Sequence, residues 1–317
     1  MTRARGPRRI GQRAGSMVAM LAGLPLSACA SGPVLSQLTV TPASEERQPA
    51  WSPDGKWIAF AAAPIGSSNE TPDLWLASAD GKTTRRLTHD AFLDGSPCWS
   101  PDGTRLAFRS WREDRVSRIW ILSLKDSSIT QLTHEAGRTT NPAWSPDGAT
   151  IAYYGVESGN EQVWALPAAG GSSWRLTHHP EQSWNPAWSP DGSEIVYSRY
   201  QNQSTGGALF VMPREGDGDA GERARPLTHR ADHRWDRFPS WSPDGRWIAF
   251  AATDLKLNWD IWLVSADGAI EERLTEEPSH DTEPSWAPDS RHIVFESDRS
   301  GTQDLWILDT GRWTSAK

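Results

Sequence analysis

A seven-residue phrase, Pro-x-Trp-Ser-Pro-Asp-Gly, returns six times along this chain, and no other feature restricts its fold as strongly. The copies occupy residues 49–55, 97–103, 142–148, 186–192 and 239–245. A worn sixth at 284–290 has Ala for the Ser and Ser for the Gly. Their tryptophans, Trp51, Trp99, Trp144, Trp188, Trp241 and Trp286, are 48, 45, 44, 53 and 45 residues apart, which is the period of a four-stranded propeller blade.

Each unit reads as four strands. In the fifth, residues 238–242 form the first strand, Ser242-Pro243-Asp244-Gly245 a turn, and 246–251 the second strand. Residues 260–264 form the third, Ser265-Ala266-Asp267-Gly268 a second turn, and 271–275 the fourth. Pro presets φ for the second turn position, Asp suits the third, and Gly takes the left-handed geometry that closes the hairpin. The third strands align as 73–76, 118–121, 162–165, 208–211, 260–263 and 304–307, and five of the six carry a Trp. First-strand and third-strand slots thus absorb eleven of the 19 tryptophans, so packing between blades accounts for most of them and no tryptophan-lined cofactor pocket is required.

The fourth strands end in Arg/Gln/Pro-Leu-Thr at residues 86–88, 131–133, 175–177, 226–228 and 273–275, and the sixth unit lacks its copy. A matching Gln37-Leu38-Thr39 lies at the other end of the chain, so the N-terminal strand is expected to complete the last blade and close the ring. Arg312-Trp313-Thr314 is the rival. The expected fold is therefore all-β: a six-bladed β-propeller of four-stranded antiparallel blades.

The Pro-Ala-Trp-Ser-Pro-Asp-Gly phrase, the Asp-Leu-Trp third strand and the Arg-Leu-Thr ending together resemble the WD-like propeller repeats of the TolB family, from residue 35 to about 311. The resemblance implies a cell-envelope protein. The layout expected is residues 1–28 as signal peptide, 29–34 as tether and 35–317 as propeller, without the α/β domain that precedes the propeller in TolB.

Residues 1–13 hold five arginines and no acid, an apolar run follows at 14–26, and small residues close it. That pattern describes an export signal rather than a membrane span, which needs about 20 apolar residues. Leu26-Ser27-Ala28-Cys29 resembles the bacterial lipobox, which implies acylation of Cys29 and a membrane association by lipid anchor alone. Cleavage after Ala30 is the alternative. In Gram-negative sorting, Ala30 after the cysteine implies the periplasmic side of the outer membrane. Removal of the arginines leaves a body more acidic than the formal -8 of the whole chain, a poor match to nucleic acid. With only Cys29 and Cys98, no disulfide framework is expected, and Cys98 reads as a small buried residue.

The Ser-Pro-Asp-Gly turns and the loops between successive blades lie on opposite faces, and variation is confined to the latter. Binding residues concentrate on such loops. The candidates are Arg47, Asp94, Asp236, Arg237, Asp281 and Glu283 around the channel mouth, with an acidic bias, together with Trp111, Trp184, Trp235 and Trp259 outside the repeat slots. Arg47, Asp94, Trp111, Trp184, Trp235, Asp236, Arg237, Asp281 and Glu283 are named as ligand-binding. The same tryptophans also suit a packing role over the loop bases.

No GxSxG elbow, HExxH or phosphate loop occurs, so no catalytic residue, metal site or cofactor is assigned. His89, His134, His178 and His229 each follow Leu-Thr on separate blades, too far apart to share an ion with bonds of about 2.0 to 2.1 Å. His233 or His280 with Asp236 or Asp281 is the residual metal possibility, and the acidic stretch 215–222 lacks EF-hand spacing. The sequence thus points to a monomeric, non-catalytic propeller that binds an envelope protein or peptide. The alternative is a metal-dependent lyase or hydrolase of oligosaccharides with its site at the channel mouth.

Overall fold

The computed structural model describes residues 34–39, 44–64, 71–156, 159–202, 206–214, 223–229, 235–253 and 258–311. The chain divides into Met1–Gly32 and Pro33–Lys317. The first unit, with the expected lipidation at Cys29, lies outside the described residues, as do His233 and the acidic stretch 215–222.

In the second unit the strands form six four-stranded antiparallel sheets. The first strands are Ser44–Trp51, Asp94–Trp99, Thr139–Trp144, Ser183–Trp188, Asp236–Trp241 and Asp281–Trp286. Each packs against the next, and the sixth returns to the first. The repeat is thus a closed six-bladed propeller. Blade five follows the expected plan, with strands Asp236–Trp241, Trp247–Thr253, Trp259–Ser265 and Glu271–Arg273. Its first turn is held as its residues dictate: Gly245 has φ of 73° and donates to Ser242 O at 2.9 Å, while Ser242 Oγ donates to Asp244 Oδ1 at 2.6 Å.

Ring closure comes from the N-terminus. Val34–Gln37 pairs antiparallel with Asp304–Asp309, in a register running from Val34 opposite Asp309 to Gln37 opposite Trp306. Leu38 N then donates to Leu305 O at 2.8 Å. Gln37-Leu38-Thr39 therefore takes the outer edge of blade six, where an unpaired strand would expose a row of backbone groups. Residues 312–314, the rival for that edge, lie outside the described residues.

The Leu-Thr ending of every fourth strand has a structural purpose. In all six blades the Thr hydroxyl accepts the N–H of a third-strand residue. The donors are Leu74 to Thr88, Ile119 to Thr133, Val163 to Thr177, Leu209 to Thr228, Ile261 to Thr275 at 2.9 Å each, and Leu305 to Thr39 at 3.1 Å. The hydroxyl replaces a backbone partner where the short fourth strand has run out, as a buried N–H requires. The residue before Leu caps the same turn: Arg86 Nε donates to Thr88 O at 2.9 Å and Gln131 Nε2 to Thr133 O at 3.0 Å. That shared geometry is why Arg and Gln interchange there.

The repeat tryptophans pack between blades, as expected. Trp99, Trp144, Trp188 and Trp286 are buried, and three of them tie one blade to the preceding one. Trp99 Nε1 donates to Ala50 O at 3.0 Å, Trp188 to Ala143 O at 3.1 Å and Trp286 to Ser240 O at 3.1 Å. At Trp144 the pattern changes. Its backbone N–H meets Cys98 Sγ at 3.3 Å, and its indole turns to Gly148 O at 3.1 Å. Cys98 is a free thiol that burial raises to about 11, far from nucleophilic at neutral pH.

Candidate binding site at the channel mouth

Each first strand carries a bulge at the same place. The register with the second strand shifts between Arg47 and Ala50, Gly95 and Cys98, Thr140 and Ala143, Trp184 and Ala187, Arg237 and Ser240, and Thr282 and Ser285. The residue before each repeat Pro, namely Gln48, Ser96, Asn141, Asn185, Phe238 and Glu283, has φ between 49° and 58°. Left-handed backbone in non-glycine residues is costly and persists only where the surrounding structure enforces it. Here it turns six side chains toward the axis. With their prolines they line a narrow channel of about 120 Å³.

The bulge also decides which neighbours reach the mouth. Opposite the residue preceding each bulge stands the residue that follows the apolar triplet of the second strand. The pairs are Arg47 with Ala61, Gly95 with Arg109, Thr140 with Tyr154, Trp184 with Ser198, Arg237 with Ala251, and Thr282 with Glu296. A cavity of about 420 Å³ opens there, lined in part by Glu45, Arg47, Arg109, Phe238, Glu283 and Glu296.

Its electrostatics are set by burial. Glu296 accepts from Gln48 N at 2.9 Å and Thr282 Oγ1 at 2.7 Å, and burial raises its pKa. Burial, then the neighbouring Glu296, raises that of Glu283. Burial raises the Tyr154 phenol and lowers the Arg109 and Arg237 guanidiniums, with Tyr154 and Glu283 partly opposing the latter. Arg109 lies over Gly95: a Cβ built there would come within 2.7 Å of Gln48 Oε1 and 3.2 Å of Arg109 Nε. The missing side chain makes room for that guanidinium.

Of the residues expected to bind, the structure brings three together. The Arg237 guanidinium lies 4.4 Å from the Trp184 ring centroid and 4.9 Å from that of Trp235, whose rings are 5.9 Å apart. Trp235 stacks in turn on Tyr200 at 5.6 Å. The Trp184 indole donates to Glu161, which also takes Arg138. Arg47, paired with Glu45 at 2.8 Å, lines the cavity together with Asp94 and Glu283. Phe238 packs near Trp259, centroids 6.5 Å apart.

The cavity carries four carboxyls, Glu45, Asp94, Glu283 and Glu296, against Arg47 and Arg109. Asp94, Asp236 and Asp281 are at most 3% exposed and are matched inside their blades. Asp94 holds Arg112 at 2.9 and 3.0 Å, Asp236 accepts from Thr228 Oγ1 at 2.5 Å, and Asp281 holds Arg299 at 2.6 Å. They stand one residue further from the bulge than Gly95, Arg237 and Thr282, and successive side chains point to opposite sheet faces. Trp111, 42% exposed, is not among the residues lining the cavity. Arg109, Tyr154 and Glu296 were absent from the sequence-based set. Aligning the second strands by their apolar triplets, such as Leu106-Ala107-Phe108 and Ile293-Val294-Phe295, isolates them as the variable fourth position.

Among the described residues one group of carboxylates, Asp73, Asp90 and Asp94, has oxygens within 4.8 Å of one another. Arg112 bonds Asp90 at 3.1 Å and Asp94 at 2.9 Å, and Arg86 bonds Asp73, so guanidiniums already balance its charge. His280 is exposed and uses its backbone N–H on Asp298 at 2.8 Å, while Asp236 and Asp281 are buried. His179 is half-buried beside Tyr197, and burial lowers it to about 4.

A closed propeller with a charged cavity at one end of its axis defines the class: a scaffold that presents a site on its loop face. The TolB beta propeller domain matches residues 94–214 and 229–314. The chain belongs to this family. Among solved structures, a putative TolB from Agrobacterium tumefaciens is 31% identical, with a TM-score of 0.58 over 68% of this chain and 73% of that one. TolB from Acinetobacter baumannii is 16% identical, with a TM-score of 0.61 over 85% of this chain and 64% of that one. An oligogalacturonate lyase from Vibrio parahaemolyticus is 14% identical, with a TM-score of 0.55 over 87% of this chain and 93% of that one. The last two show the shared fold. No curated protein matches the sequence.

Proposed function

We propose that this chain is a lipid-anchored cell-envelope propeller that binds a protein or peptide at its channel mouth without catalysing a reaction. The observation that carries this reading is the Arg237 guanidinium held between Trp184 and Trp235, next in the chain to Phe238, which lines the cavity. Trp and Arg dominate binding energy at interfaces because each offers a large, oriented contact surface. The export-like N-terminus and membership of the TolB propeller family support an envelope location, on the periplasmic side of the outer membrane in a Gram-negative cell. The test is a pull-down from detergent-solubilised envelopes, comparing wild type with a Trp184→Ala, Trp235→Ala, Arg237→Ala variant. Loss of a captured protein in the variant supports the reading, and identical captures, or none, overturn it. Anchoring is tested separately: Cys29→Ser should abolish labelling by a fatty acid, and a variant that is still labelled refutes acylation at Cys29.

The second reading, a lyase or hydrolase of oligosaccharides, draws support from the fold likeness to oligogalacturonate lyase and from two close carboxyls, Glu283 and Glu296, at the mouth. Turnover of oligogalacturonate by the purified protein with added manganese would favour it. A protein inert to that substrate leaves the binding role standing.

A further inference from the structure

Resting on the reading of the mouth as a peptide-binding site, we propose that Arg109 and Arg237 recognise a carboxylate, so that the bound segment is an extended peptide carrying Asp or Glu. Elsewhere in the ring, arginines that enter the blades are satisfied by carboxylates: Arg112 by Asp94, Arg299 by Asp281, and Arg273 by Asp260 at 2.6 Å. Arg109 and Arg237 differ. Neither has a hydrogen bond or ion pair among the described residues, and the Nε–H of each is shut off from solvent without an acceptor. An unpaired charged donor held out of water carries a desolvation cost that only a partner relieves.

The carboxyls nearest to hand do not relieve it. Glu296 is committed to Gln48 N and Thr282 Oγ1, and burial shifts both Glu283 and Glu296 toward their neutral forms. Arg47 is paired with Glu45 and Arg138 with Glu161. The two unmatched guanidiniums stand on blades two and five, which are opposite one another in a ring of six, and both act on Tyr154 and Glu283 between them. Arg109 lines the cavity directly, while Arg237 is fixed in orientation by the two indole faces. A planar guanidinium so held is a fork for a carboxylate. Phe238 in the lining suits the apolar flank of a peptide.

The experiment is selection of a phage-displayed random heptapeptide library on the full chain. Fusion to the coat protein leaves side chains as the only carboxylates in the displayed segment. The expected result is several-fold enrichment of Asp and Glu over the starting library, abolished on an Arg109→Gln, Arg237→Gln variant whose unfolding midpoint matches wild type. A selected peptide should bind at least tenfold more weakly by fluorescence anisotropy when its acid is changed to the amide. Arg109→Lys, which keeps the charge, should recover part of the affinity that Arg109→Gln loses. Clones without acidic enrichment that are still lost on the Trp184→Ala, Trp235→Ala variant overturn the carboxylate inference and leave the peptide site standing. Failure to select any clone overturns both.

Discussion

Thr177→Val isolates the hydrogen bonds that end each blade. Thr177 is fully buried, its hydroxyl accepts Val163 N–H at 2.9 Å and donates to Gln162 Oε1 at 2.6 Å, and valine keeps nearly the same volume. The substitution leaves no cavity but strands a backbone donor and an amide oxygen, each costing about 1 to 3 kcal/mol when buried without a partner. A loss of about 3 kcal/mol follows, or a fall in Tm of roughly 6 °C or more for a domain of this size. Thr177→Ser keeps both bonds and removes one methyl, for about 1 kcal/mol. The ranking is the decisive point, because packing alone predicts that valine is the better replacement. Urea unfolding followed by tryptophan fluorescence measures it, with exposed Thr130→Val as the neutral control. If Thr177→Val proves as stable as Thr177→Ser, the hydroxyl does not hold the blade end.

The same assay tests the clasp. Gly81 has φ of 71°, and a Cβ there would lie 2.3 Å from Leu38 O on the closing segment, so Gly81→Ala should cost at least about 2 kcal/mol, combining left-handed strain with a backbone clash. Gly159→Ala, also at positive φ but with open space around it, should cost about 1 kcal/mol; equal losses would refute a contact role for Gly81. His179, held at about 4 when folded against an ordinary 6.5, binds protons more readily unfolded. Stability should therefore be full above pH 6.5 and fall as the pH drops toward 4, and His179→Gln should flatten that decline in unfolding midpoints taken from pH 7.5 to 4.5. Glu283 has the opposite sign. Its folded pKa is raised to about 8 from 4.5, so its contribution is complete below pH 4.5 and is lost as the pH rises through 8. Glu283→Gln should exceed wild type in stability at pH 9 and lose that advantage at pH 5; an advantage independent of pH would refute ionisation as its cause.

The ring was legible because its determinants are local and repeated. Pro-Asp-Gly specifies a hairpin, the alternation around each Trp specifies a strand, and six copies leave one architecture. Even the closure could be read, since Gln37-Leu38-Thr39 is a spare copy of a motif missing elsewhere. The mouth was legible only in part. Trp184, Trp235 and Arg237 stood out as large side chains outside the repeat slots, although Trp184 and Arg237 lie on the first strands rather than in loops. Asp236 and Asp281 pair inside their blades and are not among the residues lining the cavity, because the bulge adds a residue to one strand only, which reverses the parity of every side chain before it. Nothing in the sequence marks that bulge. A residue preceding Pro is normally extended, and here all six are left-handed. Arg109, Tyr154 and Glu296 escaped notice because their importance lies in facing the first strand across a register that the bulge sets.

The closing strand also bears on when this protein can become itself. Val34 meets Asp309, so among the described residues the first strand has as its partner the last. Five blades draw all their strands from one continuous stretch each and can form as the chain emerges. The sixth waits for residues 304–309, and until then Val34–Gln37 lacks its partner. Contacts so distant in sequence are slow to form, because a long loop must close before they stabilise anything. A truncated product cut short before residue 304 would hold five finished blades and an open ring.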